Sequence, residues 1–119
     1  MPRLIAVRHY DLPSLMAGKI NAVLSRPYAK GRDWYDVLWY LAGKVEPNLG
    51  LLANGLAQTP SPYCGAAEQW RPGVTARLAS LDWGILVRDV RPFLEDASEL
   101  AAFTPETLHA MLRAHGVGP

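Results

Sequence analysis

The chain has 119 residues, half of them hydrophobic, and a formal net charge of +1. It is therefore long and apolar enough for one folded domain, and it lacks the global positive charge by which strongly basic proteins attract nucleic acid. The single cysteine, Cys64, excludes an internal disulfide framework and fits a reducing cytoplasm, where we expect it to be a small packing residue. The first residues have too short an apolar run for a signal peptide, and no window approaches the roughly 20 apolar residues of a membrane span, so we expect a cytoplasmic protein without a membrane partner.

The first predicted element is a β-strand from Leu4 to Leu12. Leu4, Ile5 and Val7 favour a strand, and Pro13 stops it. A single strand is not stable alone, because its backbone donors and acceptors need a sheet. We therefore expect the strand either to pair with a second copy or a partner chain, or to be the last strand of a sheet that this chain does not contain.

The next three elements are predicted helices. Apolar residues at helical spacing predict one from Ser14 to Arg26, ended by Pro27, and a second from Asp33 to Gly43. A weaker pattern, containing two glycines, predicts a third from Asn48 to Ala57.

The second half of the chain is predicted as an irregular stretch followed by helices. The chain is irregular from Thr59 to Pro72, and a helix starts near Gly73 or Val74. The Trp83-Gly84 pair interrupts this helix before a segment from 85 to 93, which Pro92 kinks or ends. A last helix follows Thr104 as N-cap and Pro105 as first helical residue. The predicted fold class is mainly α, with one leading strand.

Lys19 is the first residue that carries chemistry. It stacks between Leu15 and Val23 of the first helix, at the edge of the apolar stripe. An unpaired buried ammonium is costly, so this lysine either reaches water along its aliphatic stem or meets an anion. The anion would be a phosphate or a carboxylate of the neighbouring helix.

Asp33 and Asp36 are three positions apart and therefore share a face of the second helix. One interpretation is a helix start in which Asp33 is the N-cap and Asp36 the acid three residues on, favoured by the helix dipole. The other is that one carboxylate is a general base or holds Lys19 in place. The two interpretations are compatible.

Arg26, Lys30 and Arg32 surround the connection between these two helices. They either bind phosphates of a nucleotide or RNA, or form a solvated charged turn. We expect the aromatic residues of the second helix to pack in the core rather than to stack on bases. No metal site is predicted, since the histidines lie far apart without carboxylate or cysteine companions.

The segment LPSLMAGKINAVLSR followed by KGRDWYDVLWYL resembles the second half of the AbiEii/AbiGii-type nucleotidyltransferase toxins, an abortive-infection family. The later segments LDWGILVRDVRPFL and TPETLHAMLR also resemble the C-terminal helical part of those proteins. The resemblance covers nearly the whole chain. It implies a polymerase-β-like nucleotidyltransferase fold followed by a helical domain.

The resemblance also implies an activity and its residues. Such toxins transfer a nucleotide from a nucleoside triphosphate (NTP), with Mg²⁺, to an RNA acceptor such as tRNA, and each has a cognate antitoxin. Lys19 matches the lysine expected to contact the triphosphate, and Asp33 the acid of the last motif, so both are the expected catalytic residues. Arg32 fills the basic position before that acid, and Asp36 matches a second, structural aspartate. With Arg26 and Lys30, Lys19 and Arg32 form the expected substrate-binding set.

The chain departs from the family pattern at its start. The Gly-Gly/Ser turn and the metal-binding Asp-x-Asp pair would lie upstream of the predicted strand, and nothing before Leu4 supplies them. We therefore expect residues 1–12 to be the terminal strand of a truncated nucleotidyltransferase domain and residues 13–119 to be its helical C-terminal domain. The chain would be a fragment, a split protein or an inactive remnant.

Two hypotheses follow. In the first, the chain is the C-terminal part of a nucleotidyltransferase toxin and contributes Lys19 and Asp33 to a site that a missing N-terminal half or a homodimer partner completes. In the second, it is a stand-alone, non-catalytic helical module that binds RNA or a partner protein through the surface from Arg26 to Arg32.

Overall fold

A computed structural model describes residues 11–114 of the chain. This part contains six α-helices, and none of them is long and apolar enough to span a membrane. Their bounds are α1 Leu12–Ser25, α2 Gly31–Ala42, α3 Leu49–Gln58, α4 Trp70–Leu78, α5 Trp83–Val90 and α6 Pro105–Ala114. Short 3₁₀ helices lie at Ala67–Gln69, Arg91–Phe93 and Ala97–Ala102. The prediction of a mainly α fold is therefore confirmed.

The predicted leading strand is not seen in the part of the chain that the structure describes. Most of it lies outside residues 11–114, and its last residue, Leu12, is already the first residue of α1. The described residues contain no sheet; their β-type pairing is an isolated bridge between Ser61 and Cys64. The strand prediction is thus wrong at Leu12.

Two of the helices that begin earlier than predicted carry a proline in their first turn. Pro13 is the second residue of α1, and Pro72 is the third residue of α4, which starts at Trp70 rather than at Gly73. The first N–H groups of a helix have no intrahelical acceptor, so a proline there loses no hydrogen bond. The sequence prediction treated both prolines as breaks.

The break before α5 also differs from the prediction. Trp83 and Gly84, expected to interrupt a helix, are the first two residues of α5. Asp82 caps this helix, since its Oδ1 accepts the Gly84 N–H at 3.2 Å. At the other end, α5 stops at Val90 and a 3₁₀ turn contains Pro92, as the proline predicted.

The last helix begins as its sequence indicates. Pro105 is its first residue, and the Thr104 Oγ1 accepts the Thr107 N–H at 3.1 Å. This bond satisfies a backbone donor that the helix itself leaves without an acceptor.

The antiparallel pair α1 and α2 forms the centre of the bundle. Helices α3 and α4 pack on α1, α5 and α6 pack on α2, and α4 also contacts α6. The core consists of apolar side chains from all six helices and from the segments that connect them; its largest fully buried members are Trp34, Phe103, Met16, Ile20, Leu24, Leu52, Leu86 and Leu108. Trp34 and Tyr40 of α2 are buried and Tyr35 and Trp39 are partly buried, which confirms their prediction as packing residues. Cys64 is buried as well, as expected.

Close contact between α2 and α5 fixes the start of α2. A Cβ atom at Gly31 would meet the Leu86 carbonyl oxygen, the Asp89 Cβ at 2.8 Å and the Val90 Cγ2 at 3.0 Å. Only glycine allows this approach. The Gly31 N–H also donates to the Asp89 carboxylate at 3.2 Å, so α5 both packs against and caps the beginning of α2.

Candidate functional site

The turn between α1 and α2 places Lys19 opposite the two aspartates. Lys19 lies six residues before Ser25, the end of α1, and Asp36 lies five residues after Gly31, the start of α2. At about 1.5 Å per residue, both lie about 8–9 Å from the turn along antiparallel axes. Residues at equal distances from such a turn face each other across the helix pair.

Lys19 forms ion pairs with both aspartates. Its Nζ is 3.0 Å from Asp33 Oδ1 and 3.2 Å from Asp36 Oδ2. Arg26, just after α1, adds a second cation, with its Nη1 2.9 Å from Asp33 Oδ2. We call these four residues the α1–α2 charge cluster. Of the alternatives for Lys19, the structure shows contact with carboxylates of the neighbouring helix.

The cluster lies at the boundary between core and solvent. The aspartate side chains are only 7% and 4% exposed for Asp33 and Asp36, whereas those of Lys19 and Arg26 are 33% and 39% exposed. A carboxylate removed from water loses much of its hydration, and an adjacent cation offsets part of that cost. The cations therefore form the solvent-facing side of the cluster, and the buried carboxylates hold them in place.

Lys19 retains capacity for one more acceptor. An ammonium group has three N–H donors, and the two aspartates account for two of them. A one-third exposed side chain can direct the remaining N–H towards an anion arriving from solvent.

The interpretation of Asp33 as the N-cap of α2 is wrong. The helix begins at Gly31, its N-cap is Lys30, and Asp33 is the third helical residue. Lys30 has no side-chain cap hydrogen bond. Asp33 still lies in the first turn, where a negative charge is favourable, but its carboxylate oxygens contact Lys19 and Arg26.

The three predicted phosphate-binding cations of the connection do not form one cluster. Arg26 is paired with Asp33, whereas Lys30 and Arg32 are exposed and line a separate cavity of about 220 Å³. Its other lining residues are Gly31, Asp89 and Phe93.

Three residues beside these cations were not predicted from the sequence. Tyr28 and Phe93 are large, exposed aromatic residues, and Asp89 caps α2. Asp89 is 58 positions from Gly31, so no local spacing rule connects them. The exposure of an aromatic side chain depends on packing that a sequence pattern does not describe.

Tyr35 is the titratable neighbour of the cluster. Burial, and then the negative charges of Glu99 and Asp36, raise the pKa of the Tyr35 phenol above its ordinary value. Its ring also meets Phe103 edge-on, with centroids 5.5 Å apart. Tyr35 is therefore held in its protonated form beside Asp36.

The described residues do not fit the Mg²⁺ ion that the family resemblance implies. Residues 11–114 contain no group of three or more His, Cys, Asp or Glu side chains close enough to hold a metal ion. The closest approach to one, Asp33 with Asp36, has the Lys19 ammonium between its carboxylates. A divalent cation would have to displace that ammonium.

Comparison with known proteins identifies the family. No curated protein and no solved structure gave a significant match to the chain. The family model described as "Nucleotidyl transferase AbiEii toxin, Type IV TA system" matches residues 2–104, which include the whole α1–α2 charge cluster. The chain therefore belongs to the family of AbiEii nucleotidyl transferase toxins of type IV toxin–antitoxin systems.

Proposed function

We propose that the chain supplies the triphosphate-binding and base residues of a nucleotidyltransferase that moves a nucleotide from an NTP to an RNA acceptor. The family is one of nucleotidyltransferase toxins with a cognate antitoxin; the RNA acceptor and the residue roles are our proposal. The observation that carries it is the Lys19 ammonium, which contacts two buried carboxylates and still faces solvent.

Each residue of the cluster has a role in this proposal. Lys19 neutralises a phosphate oxygen of the triphosphate with the N–H that the aspartates leave available. Asp33 accepts the proton of the attacking hydroxyl group as general base. Asp36 holds Lys19 in position and Arg26 holds Asp33, because each forms an ion pair with that residue.

Metal ligands would come from elsewhere. Nucleotidyl transfer in this family implies a divalent ion as well as an NTP, and the α1–α2 charge cluster has cations where such an ion would bind. We propose that carboxylates outside the described residues complete the site.

The test is transfer of label from NTPs to RNA. The protein is incubated with α-labelled NTPs, Mg²⁺ and total tRNA, with and without a polypeptide that carries the family's Asp-x-Asp motif. We expect no transfer by the chain alone and transfer after complementation, abolished by Asp33→Asn. The cation control, Lys44→Asn, lies at the opposite end of α2 and should retain activity. Transfer by the chain alone would contradict the proposed need for completion.

Binding of an NTP analogue separates this proposal from its alternative, a non-catalytic helical module. One observation favours the module: both carboxylates already contact cations, an arrangement that also serves stability alone. If Lys19 contacts the triphosphate, Lys19→Met weakens binding by at least about tenfold, since a hydrogen bond to a charged group contributes about 1.5–3 kcal/mol. If the cluster only stabilises the fold, Lys19→Met changes stability and the protein binds no NTP.

A further inference from the structure

Two aromatic side chains are exposed beside the start of α2. Phe93 is 62% exposed and Tyr28 is 61% exposed, more than the other large exposed apolar residues described, Leu49, Leu51 and Ile85. Removing such rings from water would be favourable, and neither contributes to the buried core.

Each ring has a cation next to it. The Arg32 guanidinium lies 4.3 Å from the Phe93 ring centroid, and the Lys30 ammonium lies 6.0 Å from that of Tyr28. Lys30 and Arg32 also line one cavity together with Phe93. The four residues Tyr28, Lys30, Arg32 and Phe93 therefore form one continuous patch, which we call the basic–aromatic surface.

The two cations of this surface are not held in ion pairs within the described part of the chain. Neither Lys30 nor Arg32 forms an ion pair with a described residue, whereas Arg26 is paired with Asp33. The acid that shares their cavity, Asp89, uses its carboxylate to accept the Gly31 N–H. Two cations and one carboxylate leave this surface with a net positive charge for an outside ligand, even though the whole chain carries only +1.

We propose that the basic–aromatic surface binds single-stranded RNA, with bases stacked on Phe93 and Tyr28 and phosphates against Arg32 and Lys30. This rests on the proposed function, because it names the form of the RNA acceptor. A ring with a cation beside it, present twice, matches a single strand, in which each nucleotide has one base and one phosphate. A duplex presents no free base face, so it cannot use the rings. Only Gly31 separates Lys30 from Arg32, and Asp33 directly follows Arg32, so the basic–aromatic surface adjoins the α1–α2 charge cluster along the chain.

Fluorescence anisotropy of the full 119-residue protein tests this surface. The probes are an unstructured RNA of about 12 nucleotides, within the usual range of site sizes, and the blunt duplex of the same sequence. We expect the single strand to bind more tightly. Phe93→Ala and Tyr28→Ala should each weaken its binding by about fivefold or more, whereas Phe93→Tyr and Tyr28→Phe, which keep an aromatic ring, should retain it.

The cations are tested through the salt dependence. Lys30→Ala and Arg32→Ala should each reduce the slope of log affinity against log salt by about 0.7, the contribution of one phosphate contact on a single strand. The controls are Leu51→Ala, which removes an exposed apolar side chain of α3, and Lys44→Asn, which removes one exposed cation. Both controls should bind RNA as the unaltered protein does.

Equal affinity for the duplex and the single strand would overturn the proposal, and so would alanine variants that bind RNA as well as the controls do. It would also be overturned if the surface bound the cognate antitoxin in place of RNA through a contact that Phe93→Ala abolishes. The outcome is separable from that of the transfer assay. RNA binding that depends on Phe93, together with no NTP binding, would support this surface and contradict the proposed function. Transfer to RNA that Phe93→Ala leaves unchanged would support the proposed function and contradict RNA binding at this surface.

Discussion

Lys19 and Asp33 are 14 positions apart in the sequence, and the Lys19 Nζ donates to Asp33 Oδ1 at 3.0 Å across the α1–α2 pair. The same ammonium contacts Asp36. Lys19→Met keeps the aliphatic stem and removes the charge, so two nearly buried carboxylates lose a shared cation. We expect a loss of about 2 kcal/mol in the free energy of unfolding, below the range for a fully buried pair because Lys19 is partly solvated. Urea unfolding at pH 7 measures it.

The matched control for this change is Lys44→Asn. Lys44 is exposed and has a positive φ of 57°, which asparagine tolerates. This variant should change the free energy of unfolding by no more than about 0.5 kcal/mol. Equal losses in the two variants would show that the ion pairs of Lys19 contribute nothing specific. A double-mutant cycle of Lys19→Met with Asp33→Asn should give a coupling free energy within about 0.5–3 kcal/mol.

The contact between α2 and α5 predicts that Gly31→Ala is destabilising. The new methyl group would lie against the backbone carbonyl of Leu86 and the side chains of Asp89 and Val90, so the helices must separate. Overpacking of this kind costs about 1–3 kcal/mol. Gly18→Ala is the control, since nothing lies within 4 Å of its new Cβ and Gly18 is within a helix. We expect it to stabilise the protein by about 0.5–1 kcal/mol. If Gly31→Ala and Gly18→Ala changed the free energy of unfolding by similar amounts and with the same sign, the close contact between α2 and α5 would be contradicted.

The raised pKa of the Tyr35 phenol predicts how the free energy of unfolding changes at alkaline pH. Burial and the nearby charges of Glu99 and Asp36 raise its pKa in the folded protein, so the folded state keeps a proton that the unfolded state has lost. This contribution to stability is complete below the unfolded pKa of about 10 and decreases as pH rises through the folded pKa. Tyr35→Phe should make the decrease in unfolding free energy above about pH 10 shallower.

Urea unfolding between about pH 9 and pH 11.5 measures this slope. Tyr28→Phe, which removes the hydroxyl group of an exposed tyrosine, controls for the loss of a phenol. A slope that Tyr35→Phe leaves unchanged would show that this residue does not carry the alkaline dependence.

Helical periodicity predicted the central helix pair, because apolar stripes on α1 and α2 are long and regular. The juxtaposition of Lys19 with Asp33 followed from the same pattern, since a short connection makes consecutive helices antiparallel neighbours. Helix starts were less predictable. Pro13 and Pro72 were interpreted as breaks, although a proline in a first helical turn removes no hydrogen bond.

Contacts between distant segments could not be predicted. Nothing in the local sequence connects Asp89 with Gly31 or Arg32 with Phe93, because these pairs meet only after α5 has packed on α2. The basic–aromatic surface therefore became visible only in the fold. The sequence suggested Lys30 and Arg32 as phosphate-binding residues but interpreted neither ring as their companion.

The reactivity of the Cys64 thiol can be used to test how the loop that contains it packs against α4. It is buried, and burial raises the pKa of its thiol, so little of the reactive thiolate is present at pH 8. Modification by a thiol reagent should therefore be slow in the folded protein and fast in urea.

Gly73→Ala should accelerate this modification under native conditions, since the new Cβ would lie 2.8 Å from the Cys64 Cβ and 2.9 Å from the Tyr63 carbonyl oxygen. Gly65→Ala, beside Cys64 in sequence but with nothing within 4 Å of its new Cβ, should leave the rate unchanged. If Gly65→Ala accelerated modification as much as Gly73→Ala, local mobility of the loop rather than contact with α4 would control access to the thiol.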